Sequence, residues 1–396
     1  MNMTKNDIRY VVCALALAAL TPMMVEAATV ADKARTIVSA VRARLAPDSR
    51  QNIYDITVRP VDNGKVALTG MVSEWYLADS LMRALADADI DASNGIAVLP
   101  SDNWAMPRIS VACLRTRPGH DAEMASQALM GMPLRVLDND GEWLRVQTPD
   151  GYISWVVNSS VAIKTPEQME MWRCARRLVV TSPYQVHAYR DAKVSGVRDV
   201  VTDLVCGDIV EGSLDKKIRG RVQVTLPDGR SGWCEASALT PIEDWATQDF
   251  NADVILDMAY SMEGTPYLWG GTSSKTLDCS GLAKVSYLAN GIILMRDASQ
   301  QATTGTRIEA ADWRRCRAGD LLFFGNPKTG RVTHVAIYDH DGDYVHSSGR
   351  VRRNSVNPDS PAYLTTPFLH AVRIDGNIGT RGITAVRNHP WYFGYK

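Results

Sequence analysis

Leu277-Asp278-Cys279-Ser280-Gly281-Leu282 reads as the opening of a helix that starts on a cysteine. Asp278 or Ser280 can cap free backbone N–H groups, and Leu282, Val285 and Leu288 mark one apolar face. A cysteine at this position sits in the positive end of the helix dipole, which favours its thiolate. The nucleophile still needs a base to manage its proton, and His334 and His346 are candidates. Val332-Thr333-His334-Val335-Ala336-Ile337-Tyr338 reads as one strand and Tyr344-Val345-His346-Ser347 as another. Asp339-His340-Asp341-Gly342-Asp343 is the turn between them. A hairpin centred at residue 340 or 341 sets His334 opposite residues 346 to 348, where facing Cβ atoms lie roughly 4.5–5.5 Å apart. His346 then holds the ring of His334 while His334 faces Cys279: nucleophile, base and orienter. Each residue alone is an ordinary core or surface residue; cap, register and order together point to chemistry.

Working outward, a helix near Val254 to Met262 precedes Gly264-Thr265-Pro266-Tyr267-Leu268-Trp269-Gly270-Gly271, whose glycines let the chain turn before the cysteine helix. Gly319-Asp320-Leu321-Leu322-Phe323-Phe324 then enters the sheet. Residues 246–396 therefore read as α+β, a helix with the nucleophile against an antiparallel sheet with the base. Upstream lies an internal repeat. Pro149-Asp150-Gly151 is followed by Trp155, and Pro227-Asp228-Gly229 by Trp233. Arg145-Val146-Gln147 precedes the first turn and Arg221-Val222-Gln223 the second. Each unit reads as a small β-barrel, over residues 101–165 and 166–245, with its tryptophan buried. The first unit differs in having Tyr152 where the second has Arg230, and in the segment Pro118 to Met124, so that Glu123 and Tyr152 are candidates to face one cleft. Residues 28–100 read as a small α+β unit, with helices over residues 31–45 and 77–88 and short strands between and after them.

The chain has 396 residues, with 43 basic and 44 acidic residues and a net charge of -1, which gives no basic excess for nucleic-acid binding. Lys5, Arg9, the apolar run Val11 to Leu20 and Val25-Glu26-Ala27 read as an export signal over residues 1–27. The run is too short for an ordinary membrane span, so the mature chain is expected without one, in the periplasm or associated with the cell envelope. Removing this leader leaves Cys113, Cys174, Cys206, Cys234, Cys279 and Cys316. Export permits disulfides, and Cys206 with Cys234 is the candidate pair. No C-x-x-C spacing marks a metal site, and none is expected.

The motifs around Cys279, His334 and His346 resemble the NlpC-type cell-wall peptidases, a papain-like cysteine peptidase group. The repeat resembles bacterial SH3-like domains, and residues 28–100 resemble the BON-type module. As a whole the chain is similar to the YkfC-like γ-D-glutamyl-L-diamino acid endopeptidases with two SH3-like domains. That resemblance implies an α+β multidomain protein whose substrate is the murein peptide L-Ala-γ-D-Glu-diaminopimelate or cell-wall peptidoglycan, cleaved without a cofactor in cell-wall recycling. It implies that the first SH3-like domain walls the cleft and admits peptides with a free N-terminal L-alanine. Glu123 would bind the ammonium, Tyr152 would line the pocket, and Asp278, Ser280 and Ser299 would complete it. Tyr267 and the backbone N–H of Cys279 would stabilise the oxyanion. Three other readings remain at this stage: remodelling of polymeric peptidoglycan, wall binding without catalysis, and acyl transfer to an acceptor other than water.

Overall fold

The computed structural model describes residues 30–61, 64–247 and 249–394. The expected leader, residues 1–27, lies outside the described residues. The chain divides into two compact units, the first ending at Ser101 and the second running from Asp102.

In the first unit a helix over residues 30–45 precedes strands Tyr54–Val61 and Lys65–Val72, helix Trp75–Ala86 and strand Ala92–Val98. The first two strands pair antiparallel, and the third joins the second in parallel. Leu77, Leu81 and Leu85 recur every fourth residue, so they share one helix face. They bury that face against Val66, Leu68 and Val72 of the sheet. The element order matches the sequence pattern because every apolar stripe here is local.

The second unit begins with two seven-stranded sheets. Numbering each unit's strands along the chain, both sheets run 7-1-4-5-6-2-3. The repeat seen in sequence is thus a repeat of topology. Its Pro-Asp-Gly turns are alike: Gly151 has φ 85 and Gly229 has φ 86, and each donates its N–H three residues back. That left-handed conformation is the reason for glycine.

Two expectations fail here. Trp155 and Trp233 are only partly buried. Strand alternation gives the inward positions to Ser154 and Val156 in one barrel and to Gly232 and Cys234 in the other. The tryptophans lie on the opposite face, where the Arg145 guanidinium sits 5.8 Å from the Trp155 ring centroid. Nor do Cys206 and Cys234 pair: all six described cysteines are free. Cys206 packs with Ile255 and Leu282 of the third body, whereas Cys234 lies in the core of the second barrel with Val222 and Val224.

The third body of this unit pairs the helix Cys279–Ala289 with a six-stranded sheet. In spatial order the strands are Thr306–Glu309, Phe368–Arg373, Leu321–Asn326, Arg331–Tyr338, Asp343–Ser348 and Arg350–Ser355. Leu282 and Val285 of the helix bury against Leu321, Phe323, Val335 and Ile337, and helix Ala252–Ser261 adds Ile255 and Ala259 from the other side. The C-terminal segment ties back to both barrels. Arg177 donates to the Tyr392 carbonyl at 2.8 Å, and His389 Nε2 lies 3.0 Å from the Pro149 carbonyl. Among the described residues no helix is long and apolar enough to cross a membrane.

Candidate active site

The helix begins as its sequence requires. Asp278 is the N-cap, with extended backbone, and its Oδ1 accepts the Gly281 N–H at 2.7 Å. Gly281 must be glycine: a Cβ there would lie 1.9 Å from the Gly271 carbonyl oxygen. This close approach sets the Gly270-Gly271 loop directly over the first turn. Cys279 follows the cap, 8% exposed, with the backbone N–H groups of Val335 and Ser280 directed at its sulfur. Val335 is the residue after His334, so the thiol abuts the strand that carries the histidine.

The expectation of a dipole-favoured thiolate is reversed. Burial, and then the Asp278 carboxylate, push the Cys279 thiol up to about 11, outweighing the two N–H groups and Arg296. The N-cap carboxylate offsets the positive helix end that the sequence argument relied on.

The hairpin carries the two histidines together. Ile337 pairs with Val345 and Tyr338 with Tyr344, which centres the turn at residue 341. Extending that register puts His334 opposite Ser348 and diagonal to His346. His334 Nε2 lies 2.7 Å from His346 Nδ1, and the rings meet edge to face. His346 Nε2 lies 3.0 Å from Asn354 Oδ1, and Asn354 Nδ2 donates to the Ala362 carbonyl at 3.0 Å. The direction of this chain fixes the tautomers. Asn354 spends its N–H on a carbonyl, so its oxygen must accept from His346 Nε2. His346 Nδ1 is then the acceptor and His334 Nε2 the donor. The lone pair of neutral His334 is left on Nδ1. Burial keeps both rings neutral: His334 is pushed down to about 3 by burial, His346 and Arg352, and His346 to about 4 by burial and Arg352.

Beneath the thiol lies a buried ion pair that the sequence reading missed. Arg296, 2% exposed, reaches Asp278 with Nη2 to Oδ2 at 2.5 Å and Nη1 to Oδ1 at 3.2 Å, and donates to Ser280 Oγ at 2.9 Å. Asp278 Oδ2 also accepts the Gly270 N–H at 2.9 Å. Asp278 and Ser280 are therefore tied into the support of the helix start at Cys279. Tyr152 is buried with its phenol within electrostatic reach of Arg296, which brings the first barrel to the same cluster. Glu123 is exposed at the edge of that barrel and accepts the Trp269 indole N–H at 2.6 Å, two residues beyond Tyr267. Burial, then Cys279 and Asp278, push the Tyr267 phenol up, so it stays a donor. Ser299 is exposed on the short helix Ala298–Gln301, which packs against the His334 strand.

Arg296 had a weak signal in the sequence: it is the cation that directly follows the apolar run Ile292 to Met295. Asn354 had a weaker one, since it appears only once Arg350–Ser355 is recognised as a third strand on the His346 side. Among the described residues no group of acidic, histidine and cysteine side chains is arranged to hold a metal ion.

Comparison with known proteins assigns the class. Residues 264–373 match the NlpC/P60 family, and residues 114–161 match the bacterial dipeptidyl-peptidase SH3 domain. The probable endopeptidase NlpC of Escherichia coli K12 is 36% identical over 121 residues, covering 30% of this chain and 75% of that protein. The chain belongs to the NlpC/P60 family, a family of peptidases, and joins that domain to a bacterial SH3 domain. Over a longer span it is similar to a Bacillus cereus protein named γ-D-glutamyl-L-lysine dipeptidyl-peptidase, 28% identical over 309 residues, 73% of this chain and 85% of that one. A solved NlpC/P60 family protein from Bacillus cereus shares the fold, with TM-score 0.58 and 21% identity, over 69% of this chain and 99% of that one.

Proposed function

We propose that this chain is a cysteine endopeptidase that hydrolyses the γ-D-glutamyl-L-diamino acid bond of murein stem peptides bearing a free N-terminal L-alanine. The observation that carries the reading is the polarised line Asn354–His346–His334, on the strand whose next residue, Val335, directs its N–H at the buried thiol of Cys279. The Bacillus cereus relative's name supports the bond type. The position of Glu123 and Tyr152, on a barrel at the edge of the same site, supports recognition of the amine.

The residues supply each step. Cys279 Sγ attacks the γ-carbonyl carbon as His334 Nδ1 takes the thiol proton. Attack breaks the carbonyl π bond, and the oxyanion accepts from the Cys279 N–H and the Tyr267 O–H. Collapse breaks the C–N bond; the imidazolium returns its proton to the amine of the departing diamino acid and leaves a thioester. Water then attacks the thioester, giving a proton to His334, and the thiol leaves as the acid product forms. His346 and Asn354 hold His334 in the tautomer that keeps Nδ1 basic. The buried thiol is un-ionised at rest, so proton transfer accompanies attack. Glu123 takes the alanyl ammonium, with Tyr152, Asp278, Ser280 and Ser299 forming the rest of the pocket. Diaminopimelate is the expected diamino acid. Export through the leader would put the enzyme in the periplasm, where recycling of released peptides or remodelling of the wall would supply substrate.

The test compares L-Ala-γ-D-Glu-meso-diaminopimelate with its N-acetyl form, in the parent and in Glu123→Gln. The proposal expects cleavage of the free amine alone and a KM raised at least about ten-fold in the variant, the scale of a lost ion pair at a binding site. Equal cleavage of both peptides would remove the amine pocket and favour action on polymeric peptidoglycan.

A further inference from the structure

The short hairpin Thr272–Ser273 and Thr276–Leu277 leads straight into Asp278-Cys279, and both barrels hold it. At its base, Gln127 of the first barrel bonds to it through both side chain and backbone. Gln127 Oε1 accepts the Thr272 N–H at 2.8 Å and the Ser273 hydroxyl at 2.9 Å, while Nε2 donates to Thr276 Oγ1 at 3.1 Å. The Gln127 backbone N–H donates to Thr272 Oγ1 at 2.9 Å, and that hydroxyl faces the Gln127 carbonyl at 3.2 Å. Gln127, Thr272 and Ser273 are all buried. At the tip, Lys275 reaches Ser110 of the first barrel at 2.9 Å and Asp203 of the second at 2.6 Å. Just before the hairpin, a Cβ on Gly270 would lie 2.3 Å from the Met124 carbonyl oxygen of the first barrel. On its far side, Ser347 of the histidine sheet donates to the Leu277 carbonyl at 3.2 Å.

A barrel that served only as a tethered wall-binding module would need no such contact. Here polar ties from both barrels meet on the segment that leads directly into the thiol. We propose that the barrels act as a clamp on the Thr272–Leu277 hairpin, with Gln127 and Thr272 as positioning residues that hold Cys279 in register with His334. The proposal rests on Cys279 as the nucleophile. It adds that loosening the clamp lowers turnover without weakening substrate binding.

Thr272→Val removes the hydroxyl at nearly constant shape, and Thr272→Ser keeps it. Two readouts are taken on the full chain: kcat and KM for the free-amine peptide, and the pH-dependent rate at which iodoacetamide labels Cys279, followed by peptide mass mapping. Displacing reacting atoms by a fraction of an ångström costs about ten-fold or more. Thr272→Val is expected to lower kcat and Cys279 labelling by about ten-fold with KM within about two-fold, while Thr272→Ser stays within about two-fold of the parent. Labelling and kcat both within two-fold in folded Thr272→Val would overturn the clamp. If that variant does not fold, Lys275→Met, at the half-exposed tip, takes its place. Labelling slowed about three-fold supports the clamp, and unchanged labelling overturns it. Because labelling needs no peptide, slowed labelling in a protein whose parent cleaves neither peptide would keep the clamp and sink the substrate reading.

Discussion

At the residue scale, the sharpest consequence of the site is its pH dependence. An imidazole in water titrates near 6.5, but burial holds His334 down near 3 and His346 near 4. Lowered values mean that protonation, and with it loss of the base, comes later on acidification. The acid limb of kcat/KM is therefore expected below pH 5, and a limb at 6.5 would show that His334 is not the buried neutral base described. Asn354 is the second test. Asn354→Ala removes the acceptor that fixes both tautomers and is expected to lower kcat roughly ten-fold or more, whereas Asn354→Asp keeps an acceptor and stays closer to the parent. The helix start at Cys279 and the meeting of His334 with His346 were legible because each carries its motif locally. Arg296 and Asn354 were not, because their roles arise from partners distant in sequence or on an adjoining strand. The thiolate argument failed for a related reason: sequence gives the helix start, but not how deeply it is buried or how close the Asp278 charge lies.

At the element scale, the helix start is the most constrained piece. Gly281→Ala places a methyl 1.9 Å from the Gly271 carbonyl, and backbone must shift. The variant is expected to lose about 1–3 kcal/mol in urea unfolding, the cost of forcing bulk into a packed site. Unchanged stability would mean the Gly270-Gly271 loop is free to move away. The barrels show what patterning can and cannot give. Their Pro-Asp-Gly turns and Arg-Val-Gln strands announced the repeat, and the sheets duly share one topology. The tryptophans were misassigned because inward and outward positions alternate residue by residue, and a one-residue slip in reading reverses them. Apolar type alone does not say which face is the core.

At the scale of the whole molecule, the ties between bodies matter more than any one barrel. Lys284 of the nucleophile helix meets Asp150 of the first barrel at 2.6 Å, with both side chains largely buried. Lys284→Met leaves the Asp150 carboxylate buried without its cation, and about 3–5 kcal/mol of stability is expected to be lost. Adding Asp150→Asn should recover much of that loss in the same unfolding experiment; no recovery would place the cost in lysine packing instead. Stability also follows pH. Unfolded histidines bind protons below about 6.5, while folded His334 and His346 resist until near 3 and 4. Acidification thus favours the unfolded state, and Tm is expected to fall from pH 6.5 towards 4. His346→Asn should flatten that slope. None of these cross-body partners was legible beforehand, since Gln127 and Lys284 meet theirs only once the bodies are docked.

The central claim is that Cys279 cleaves the bond between D-glutamate and the diamino acid. The direct measurement is mass-spectrometric identification of the products formed from L-Ala-γ-D-Glu-meso-diaminopimelate by the parent protein and by Cys279→Ala. The account expects L-Ala-γ-D-Glu and free diaminopimelate from the parent and intact peptide from the variant. Intact peptide from both, or the same products from Cys279→Ala, would contradict it.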